Sequence, residues 1–265
     1  MFFSIIINTH NQHETIERCI NSCLKQNFKK KYEIIIVDTS NNQINKKIIS
    51  SKKIRYFHFK NFSQYPEINQ IKKINEGFKR ARGKWFCLLD GDDFFKSNKL
   101  KNIYDKFNIG DEIVVQDECC YYNSEKKLVT NYPHKKYKKF FIYKKIINSW
   151  PEIYGTSSIS GNSKILKSFF KKVNINKWNL LAIDALFLLF ALNKKKLFYT
   201  KKILTIKSVG SLTLGSKYTP FGKNYWKRRV QQISYWENIT KNKIFNVDKI
   251  IAKMIDFFSS IPLQK

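Results

Sequence analysis

Cysteine is scarce in this sequence, and its distribution excludes a disulfide framework. The 265 residues contain five cysteines, and no two of them form a C-x-x-C pair. An odd number of cysteines without framework spacing indicates a reducing compartment. We therefore expect a cytoplasmic protein.

Long hydrophobic runs are absent as well. The longest, residues 180–192, has 13 residues and contains Asp184, whereas a membrane-spanning helix needs about 20 apolar residues. No basic region precedes the apolar N-terminal stretch, so we expect a strand there rather than a leader. These absences predict a protein without a membrane span, which could still bind peripherally to the inner face of a membrane.

Acidic residues are outnumbered by basic ones. The chain has 20 Asp and Glu against 50 Lys and Arg, a formal net charge of +30. Nearly all of the excess is lysine, and it accompanies many residues with AT-rich codons, so genome composition explains much of it. The lysines are spread along the chain without an Arg-rich element, and we expect no specific nucleic-acid partner. A basic surface still favours anionic partners, namely phosphorylated substrates and anionic lipid headgroups.

Three of the few acids stand together, at Asp90, Asp92 and Asp93. They follow the apolar run 85–89, which is typical of a strand buried on both faces, and Gly91 between them permits a tight turn. Clustered carboxylates repel one another unless a cation lies between them, and hard oxygen ligands suit Mg²⁺ or Mn²⁺. The pattern predicts a divalent-metal site at a strand end, with a solvated acidic turn as the alternative.

The N-terminal part of the chain alternates between strand and helix patterns. The predicted strands are 2–7, 32–37, 54–59 and 85–89, and the predicted helices are 14–28 and 67–81. This alternation indicates an α/β fold with a mostly parallel sheet. Thr9 and Asp38 then follow two strands at the same carboxyl edge, where open parallel sheets bind ligands.

The alternation loosens after Gly110. The remaining predicted helices are 97–107, 164–171, 178–192, 225–240 and 247–261, and the remaining strands are 112–116 and 197–206. The basic run 126–145 is expected to be a solvated loop. The apolar stripe of the last helix either covers part of the core or lies at a membrane interface.

Four segments resemble the motifs of the family 2 glycosyltransferases. They are residues 4–11 (SIIINTHN), 33–40 (EIIIVDTS), 75–85 (NEGFKRARGKW) and 89–93 (LDGDD), the last of which resembles the DxD signature. Each motif is weak alone, but their order and spacing along one predicted sheet edge are specific. The resemblance implies the GT-A fold: a Rossmann-like, mostly parallel sheet flanked by helices, with an acceptor-binding second half and C-terminal helices.

The resemblance also implies a donor site in residues 1–110, with a UDP-sugar favoured as the donor. Thr9 and Asp38 would meet the nucleotide base, and Asp90 would hold the ribose. The implied metal ligands for Mg²⁺ or Mn²⁺ at the diphosphate are Asp92 with Asp90 and Asp93. The other implied donor-binding residues are Asn11, Ser40, Lys73 and Gly91.

The implied acceptor-binding half is 111–215, and a helical extension, 216–265, follows it. In the family a Glu-Asp pair opens a helix and its Asp is the general base. Here residues 182–186 read AIDAL, so Asp184 is the implied base although the Glu is absent.

Basic residues late in the chain are further candidates for the site. Lys207 stands where relatives often have Arg or His before a Gly-Ser pair. Candidates to close over the phosphates are Lys217, Arg228 and Arg229, with the loop 210–215.

The expected function is the inverting transfer of a sugar from a nucleotide-diphosphate sugar to the hydroxyl of a saccharide or lipid-linked acceptor, in surface polysaccharide or lipopolysaccharide synthesis. Two alternatives stay open. A sugar-phosphate nucleotidyltransferase usually carries a Gly-rich loop after the first strand, and residues 9–15 contain no glycine. A non-enzymatic protein that binds polyanions or membrane surfaces would use the high positive charge.

Overall fold

The computed structural model describes residues 1–106, 112–122, 128–129, 153–208, 218, 223–243 and 247–260. Its strands are β1 (Phe3–Thr9), β2 (Tyr32–Asp38), β3 (Ile54–His58), β4 (Trp85–Asp90), β5 (Phe94–Phe95), β6 (Val114–Tyr122), β7 (Leu128–Val129), β8 (Ile159–Asn162) and β9 (Leu197–Ser208). Its helices are α1 (His13–Leu24), α2 (Pro66–Arg80), α3 (Lys99–Lys106), α4 (Ser163–Lys172), α5 (Ile183–Asn193), α6 (Lys223–Thr240) and α7 (Val247–Ser260). Short 3-10 turns cover Thr156–Ser158 and Ile175–Lys177.

One mixed sheet runs through the described residues in the order β3-β2-β1-β4-β8-β6-β9-β5, with β7 paired to β6. Strands β1 to β4 pair in parallel, β8 lies antiparallel between β4 and β6, and β6 pairs with β9 in parallel. This arrangement confirms the predicted α/β fold. The sheet continues from β4 into strands that follow Gly110, so the division of the chain at 110 and 215 stays a prediction about function.

Helices bury both faces of the sheet. Cys19 and Ile20 of α1 pack on one face with the apolar side chains of β1 and β2. Ile74 of α2 and Phe187 of α5 pack on the other. Eight of the eleven residues of α5 are buried. A helix that is buried on nearly all sides needs apolar residues on all of them, which explains the longest hydrophobic run in the sequence.

Helix α1 ends at Leu24, four residues before the predicted end. The Gln26 side chain donates to the carbonyls of Ser22 and Lys96, and the Asn27 N–H donates to the Ser97 carbonyl. These tertiary hydrogen bonds draw the chain away from the helix axis, although residues 25–28 carry no helix-breaking residue.

The C-terminal helix α7 is bound to α6 but leaves apolar side chains in solvent. Lys249 forms an ion pair with Glu237 of α6 at 2.5 Å, and Ala252 is fully buried. Ile250, Met254 and Phe258 are exposed by 42%, 53% and 63%. Within the described ranges, no helix combines the length and hydrophobicity needed to cross a membrane.

Candidate donor and acceptor site

Three strands end in polar residues at one edge of the sheet. In the parallel register, Thr9 of β1 lies opposite Asp38 of β2, and Asn8 lies opposite Asp90 of β4. The Asn8 amide also donates to Asp90 Oδ1 at 2.7 Å. The carboxyl edge predicted from the sequence therefore brings Thr9, Asp38 and Asp90 together, as parallel strands require.

Asp38 organises the loop that follows β2. Its Oδ1 accepts from the backbone N–H and the hydroxyl of Ser40, and its Oδ2 accepts from the Tyr56 hydroxyl at 2.8 Å. The side chain has no exposed surface. A carboxylate has about four acceptor positions, so three donors leave little free capacity. Its contact with a nucleotide base stays a prediction, whereas its hold on Ser40 is direct.

The Ser40 loop is joined to the loop after β1. The Asn11 N–H donates to Ser40 Oγ at 2.7 Å, and Asn11 adopts a left-handed backbone with φ of 53°. The buried ammonium of Lys73 donates to the Thr9 carbonyl at 2.9 Å. Burial lowers the pKa of Lys73 to about 8, although Asp90 and Asp38 act in the opposite direction. Hydrogen bonds thus connect these predicted donor-binding residues with one another. Their contacts with a ligand stay predictions.

Gly91 makes the acidic turn possible. A Cβ atom built on Gly91 would lie 2.6 Å from Gln12 Oε1 and 2.6 Å from Thr9 Oγ1. Its N–H donates to the Asn8 carbonyl, and its carbonyl accepts from the Thr15 hydroxyl. No side chain fits here without displacing Thr9, because the turn packs directly on the end of β1.

The carboxylates of the turn destabilise one another's charge. Burial, followed by repulsion from Asp90, raises the pKa of Asp92 to about 6. Burial and then repulsion from Asp92 raise the pKa of Asp93 to about 8. Burial also raises the pKa of Asp90, although hydrogen bonds from Asn8 and Gln70 oppose the change. Such a cluster attracts a cation.

The carboxylate oxygens of the turn could bind a divalent cation only together with other ligands. In the part of the chain that the structure describes, no group of three or more His, Cys, Asp or Glu side chains could hold a metal on its own. Mg²⁺ is commonly bound by one or two carboxylates together with substrate phosphates. Asp92 with Asp90 would suffice in that case.

Asp93 is held through both of its carboxylate oxygens. Its Oδ2 accepts from the Ser157 hydroxyl at 2.6 Å, and its Oδ1 accepts from the Ser208 N–H at 2.9 Å. The side chain is 2% exposed. Both oxygens therefore tie the turn to neighbouring elements, and metal ligation by Asp93 stays a prediction.

Asp93 also predicts a pH dependence of stability. An unfolded Asp ionises near pH 4, whereas Asp93 in the native chain keeps its proton until about pH 8. Between these values the unfolded chain holds fewer protons, so the free energy of unfolding falls as the pH rises. We expect Asp93→Asn to reduce this fall by at least about 1.4 kcal/mol, the equivalent of one pKa unit. Urea unfolding of both chains in EDTA, from pH 4.5 to pH 8, measures the difference, and parallel curves would contradict it.

Lys207 is a further candidate residue of the site, and the motifs contain only a weak signal for it. It lies on β9, and a Cβ atom on Gly155 would come within 2.3 Å of its ammonium nitrogen. Burial opposes the charge of Lys207, but attraction by Asp93, Cys119, Asp90 and Asp184 raises its pKa. The ammonium therefore stays charged among the carboxylates. Its position before Gly-Ser was the only sequence signal.

Asp184 lies in the first turn of α5, which begins five residues later than predicted. Its Oδ1 accepts from the Ala185 N–H at 2.7 Å. Its charge contributes to raising the pKa of Asp90 and of Lys207. Asp184 is thus within electrostatic range of the acidic turn, although more than 90 residues separate them in the sequence.

The remaining candidates are placed only in part. Lys217 and the loop 210–215 lie outside the described residues, as does nearly all of the basic run 126–145. Arg228 of α6 lies over the Tyr218 ring at 4.4 Å, and the Tyr218 hydroxyl donates to Glu67 at the start of α2. Arg229 donates to Gln232 on its own helix.

Structural comparison supports this reading of the fold. The chain superposes on TarS of S. aureus in complex with UDP with a TM-score of 0.63 and 16% identity, covering 97% of this chain and 70% of that one. A mannosyltransferase from Pyrobaculum calidifontis, PcManGT, in complex with GDP-Man and Mn²⁺ gives a TM-score of 0.60 at 12% identity, with the same coverage. The architecture is therefore that of GT-A glycosyltransferases.

Curated proteins with a named role are similar to part of this chain. A GalNAc(5)-diNAcBac-PP-undecaprenol beta-1,3-glucosyltransferase of Campylobacter jejuni is 31% identical over 40% of this chain and 35% of that protein. The minor teichoic acid biosynthesis protein GgaA of Bacillus subtilis is 32% identical over 47% of this chain and 29% of that protein. The chain spans less than half the length of these curated relatives.

The family model named Glycosyl transferase family 2 matches residues 4–173, which include all four motifs and the turn that carries Ser157. That match covers well over half of the chain, and it includes the strands β1, β2 and β4 whose ends form the site. The chain therefore belongs to glycosyl transferase family 2.

Proposed function

We propose that this chain transfers a sugar from a nucleotide-diphosphate sugar to an acceptor hydroxyl, with inversion at the anomeric carbon. The observation that supports the proposal is that the Asp184 carboxylate is close enough to Asp90 and Lys207 to contribute to raising the pKa of both. A candidate base, an acidic turn and a buried ammonium therefore lie within electrostatic range of one another. Single-displacement transfer needs a base for the acceptor and charge stabilisation for the leaving group.

The donor would bind along the carboxyl edge of the sheet. Thr9, Asp38 and Ser40 are at the end that would receive the base, and Asp90 and Asp92 are at the diphosphate end. Solved structures that share the fold include complexes with UDP, UDP-GlcNAc and GDP-Man, which supports a nucleoside-diphosphate sugar. We favour a UDP-sugar.

Asp92 and Asp90 are the residues that would hold Mg²⁺ or Mn²⁺ against the phosphates. When bound, such an ion neutralises negative charge on the departing diphosphate. PcManGT was solved in complex with GDP-Man and Mn²⁺, which supports this assignment.

Lys207 would act on the same leaving group from β9. Its ammonium stays charged because Asp93 and Asp90 raise its pKa, and a positive charge at this place would stabilise the departing diphosphate. Asp184 would accept the proton of the acceptor hydroxyl as that oxygen attacks the anomeric carbon. Attack from the face opposite the diphosphate gives inversion.

The names of relatives support a lipid-linked or surface glycan as the acceptor. Two of the curated relatives are named for an undecaprenol-linked oligosaccharide and for teichoic acid synthesis. The exposed apolar side chains of α7 and the net charge of +30 support peripheral contact with an anionic membrane from the cytoplasmic side. Surface polysaccharide synthesis is the role we favour. Family membership argues against the nucleotidyltransferase and the non-enzymatic binder.

A thermal-shift panel tests the donor assignment. UDP, GDP and their sugar derivatives are added to the chain with and without MnCl₂. Ligands that bind only the native state raise the melting temperature, so we expect one base to stabilise the chain, and to do so with metal. If no nucleotide stabilised the chain in any condition, the non-enzymatic binder would become the better account.

A further inference from the structure

A buried ion pair lies beneath the acidic turn and takes no part in the proposed chemistry. Lys99, the first residue of α3, contacts Asp117 of β6 at 2.8 Å, and both side chains are 0% exposed. Removing two charges from water is costly, and apolar residues of similar size often serve stability equally well. Stability alone therefore does not explain this pair.

The ammonium of Lys99 reaches beyond its ion-pair partner. It donates to Asp117 Oδ1 at 2.8 Å, to the Ser157 carbonyl at 2.8 Å and to Thr205 Oγ1 at 2.7 Å. An ammonium has three N–H donors, so each one has an acceptor here. Thr205 in turn donates to Asp117 Oδ2 at 2.7 Å. The pair thus joins β6, β9 and the 3-10 turn Thr156–Ser158.

The 3-10 turn and β9, which Lys99 contacts, both form hydrogen bonds with the acidic turn. Ser157 Oγ accepts from the Asp90 N–H at 3.0 Å and donates to Asp93 Oδ2 at 2.6 Å. On β9, three residues after Thr205, the Ser208 N–H donates to Asp93 Oδ1 at 2.9 Å. The two elements held by Lys99 are therefore the same two that grip the Asp93 carboxylate.

We propose that the Lys99–Asp117 pair is a positioning device for the donor site. It fixes the 3-10 turn and the end of β9 so that Ser157 and Ser208 hold the acidic turn in the conformation that receives the diphosphate. The statement that the turn receives a diphosphate rests on the proposed function. The statement that the Lys99–Asp117 pair holds the turn in place does not.

The test uses the double variant K99M/D117L, which removes both charges and leaves Thr205 able to donate to the Ser157 carbonyl. Because an apolar pair of similar volume commonly preserves stability, we expect a melting temperature close to wild type. Amide hydrogen exchange of Asp90 and Ser208 in the nucleotide-free chain should accelerate at least about tenfold, while β2 keeps its protection. The control is Arg55→Met, which breaks the Arg55–Glu33 pair at the opposite edge of the sheet.

Binding of UDP or GDP in MnCl₂, by calorimetry, is the second readout, and we expect it to weaken at least about tenfold in the double variant and to change little in Arg55→Met. Unchanged exchange at Asp90 and Ser208 would overturn the proposal. So would a lower melting temperature with faster exchange throughout the sheet, since the pair would then serve stability only. If local exchange accelerates but the wild-type chain binds neither nucleotide, the positioning role stands and the proposed function fails.

Discussion

Replacing Asp92 by Asn is expected to reduce sugar transfer about 10³-fold. Asn keeps the size of the side chain but removes the charge that would hold a divalent cation at the leaving diphosphate. Stabilising that charge contributes several kcal/mol, and about 4 kcal/mol corresponds to a 10³-fold change in rate. The measurement is release of the nucleoside diphosphate from the donor identified by the thermal-shift panel.

The control for this variant is Asp105→Asn, which changes an exposed acid of α3. Both chains lose one negative charge, so a general effect of charge would appear in both. Asp92→Asn should also be folded, because it removes a charge that burial and then repulsion from Asp90 disfavour, the two causes that raise the pKa of Asp92 to about 6. Full transfer by Asp92→Asn would remove the acidic turn from the mechanism.

Replacing Asp184 by Asn is expected to lower kcat by about 10³-fold and to leave the KM of the donor nearly unchanged. General base catalysis contributes about 10² to 10⁴, and the donor is bound by other residues. The Asn side chain can still accept from the Ala185 N–H, as the carboxylate does at 2.7 Å. Steady-state kinetics with varied donor and saturating acceptor separate the two parameters.

Glu14→Gln is the matched control, since Glu14 is the exposed acid in the first turn of α1. It tests whether losing a negative charge at a helix N-terminus, which costs about 0.3–1 kcal/mol, has any effect on turnover by itself. A rise in the donor KM with normal kcat in Asp184→Asn would contradict a role as the base and would indicate a donor-binding role.

Much of the donor half could be predicted because its signals are local. The buried strand Trp85–Asp90, for example, is a continuous apolar run that ends in an acid. The parallel topology follows from the alternation of strands and helices. The shared edge of Thr9, Asp38 and Asp90 is then a geometric consequence of that topology.

The second half was harder to predict because tertiary contacts decide its boundaries. Apolar periodicity suggested a helix from Trp178, yet α5 begins at Ile183. The Leu180 N–H donates to the side chain of Gln231, and Trp178 packs on Tyr235, both from α6. Partners some fifty residues away leave no periodic signal at the helix start.

The same holds for β6, which was predicted as 112–116 and extends to Tyr122. Asp117 and Glu118 read as the end of a strand in the sequence. Asp117 stays in the sheet because Lys99 and Thr205 satisfy its charge. The pairing with β9 is irregular at the same place, with register shifts around Glu118. A lysine that comes eighteen residues earlier in the chain is not a signal that strand patterns contain.

Calorimetric titration of the chain with the stabilising nucleoside diphosphate measures whether Asp92 makes donor binding depend on a metal ion. Wild type, Asp92→Asn and Asp105→Asn are each titrated with and without MnCl₂. We predict metal-dependent binding to wild type and Asp105→Asn, and loss of the metal dependence in Asp92→Asn. Metal-dependent binding of equal affinity in all three chains would contradict this prediction.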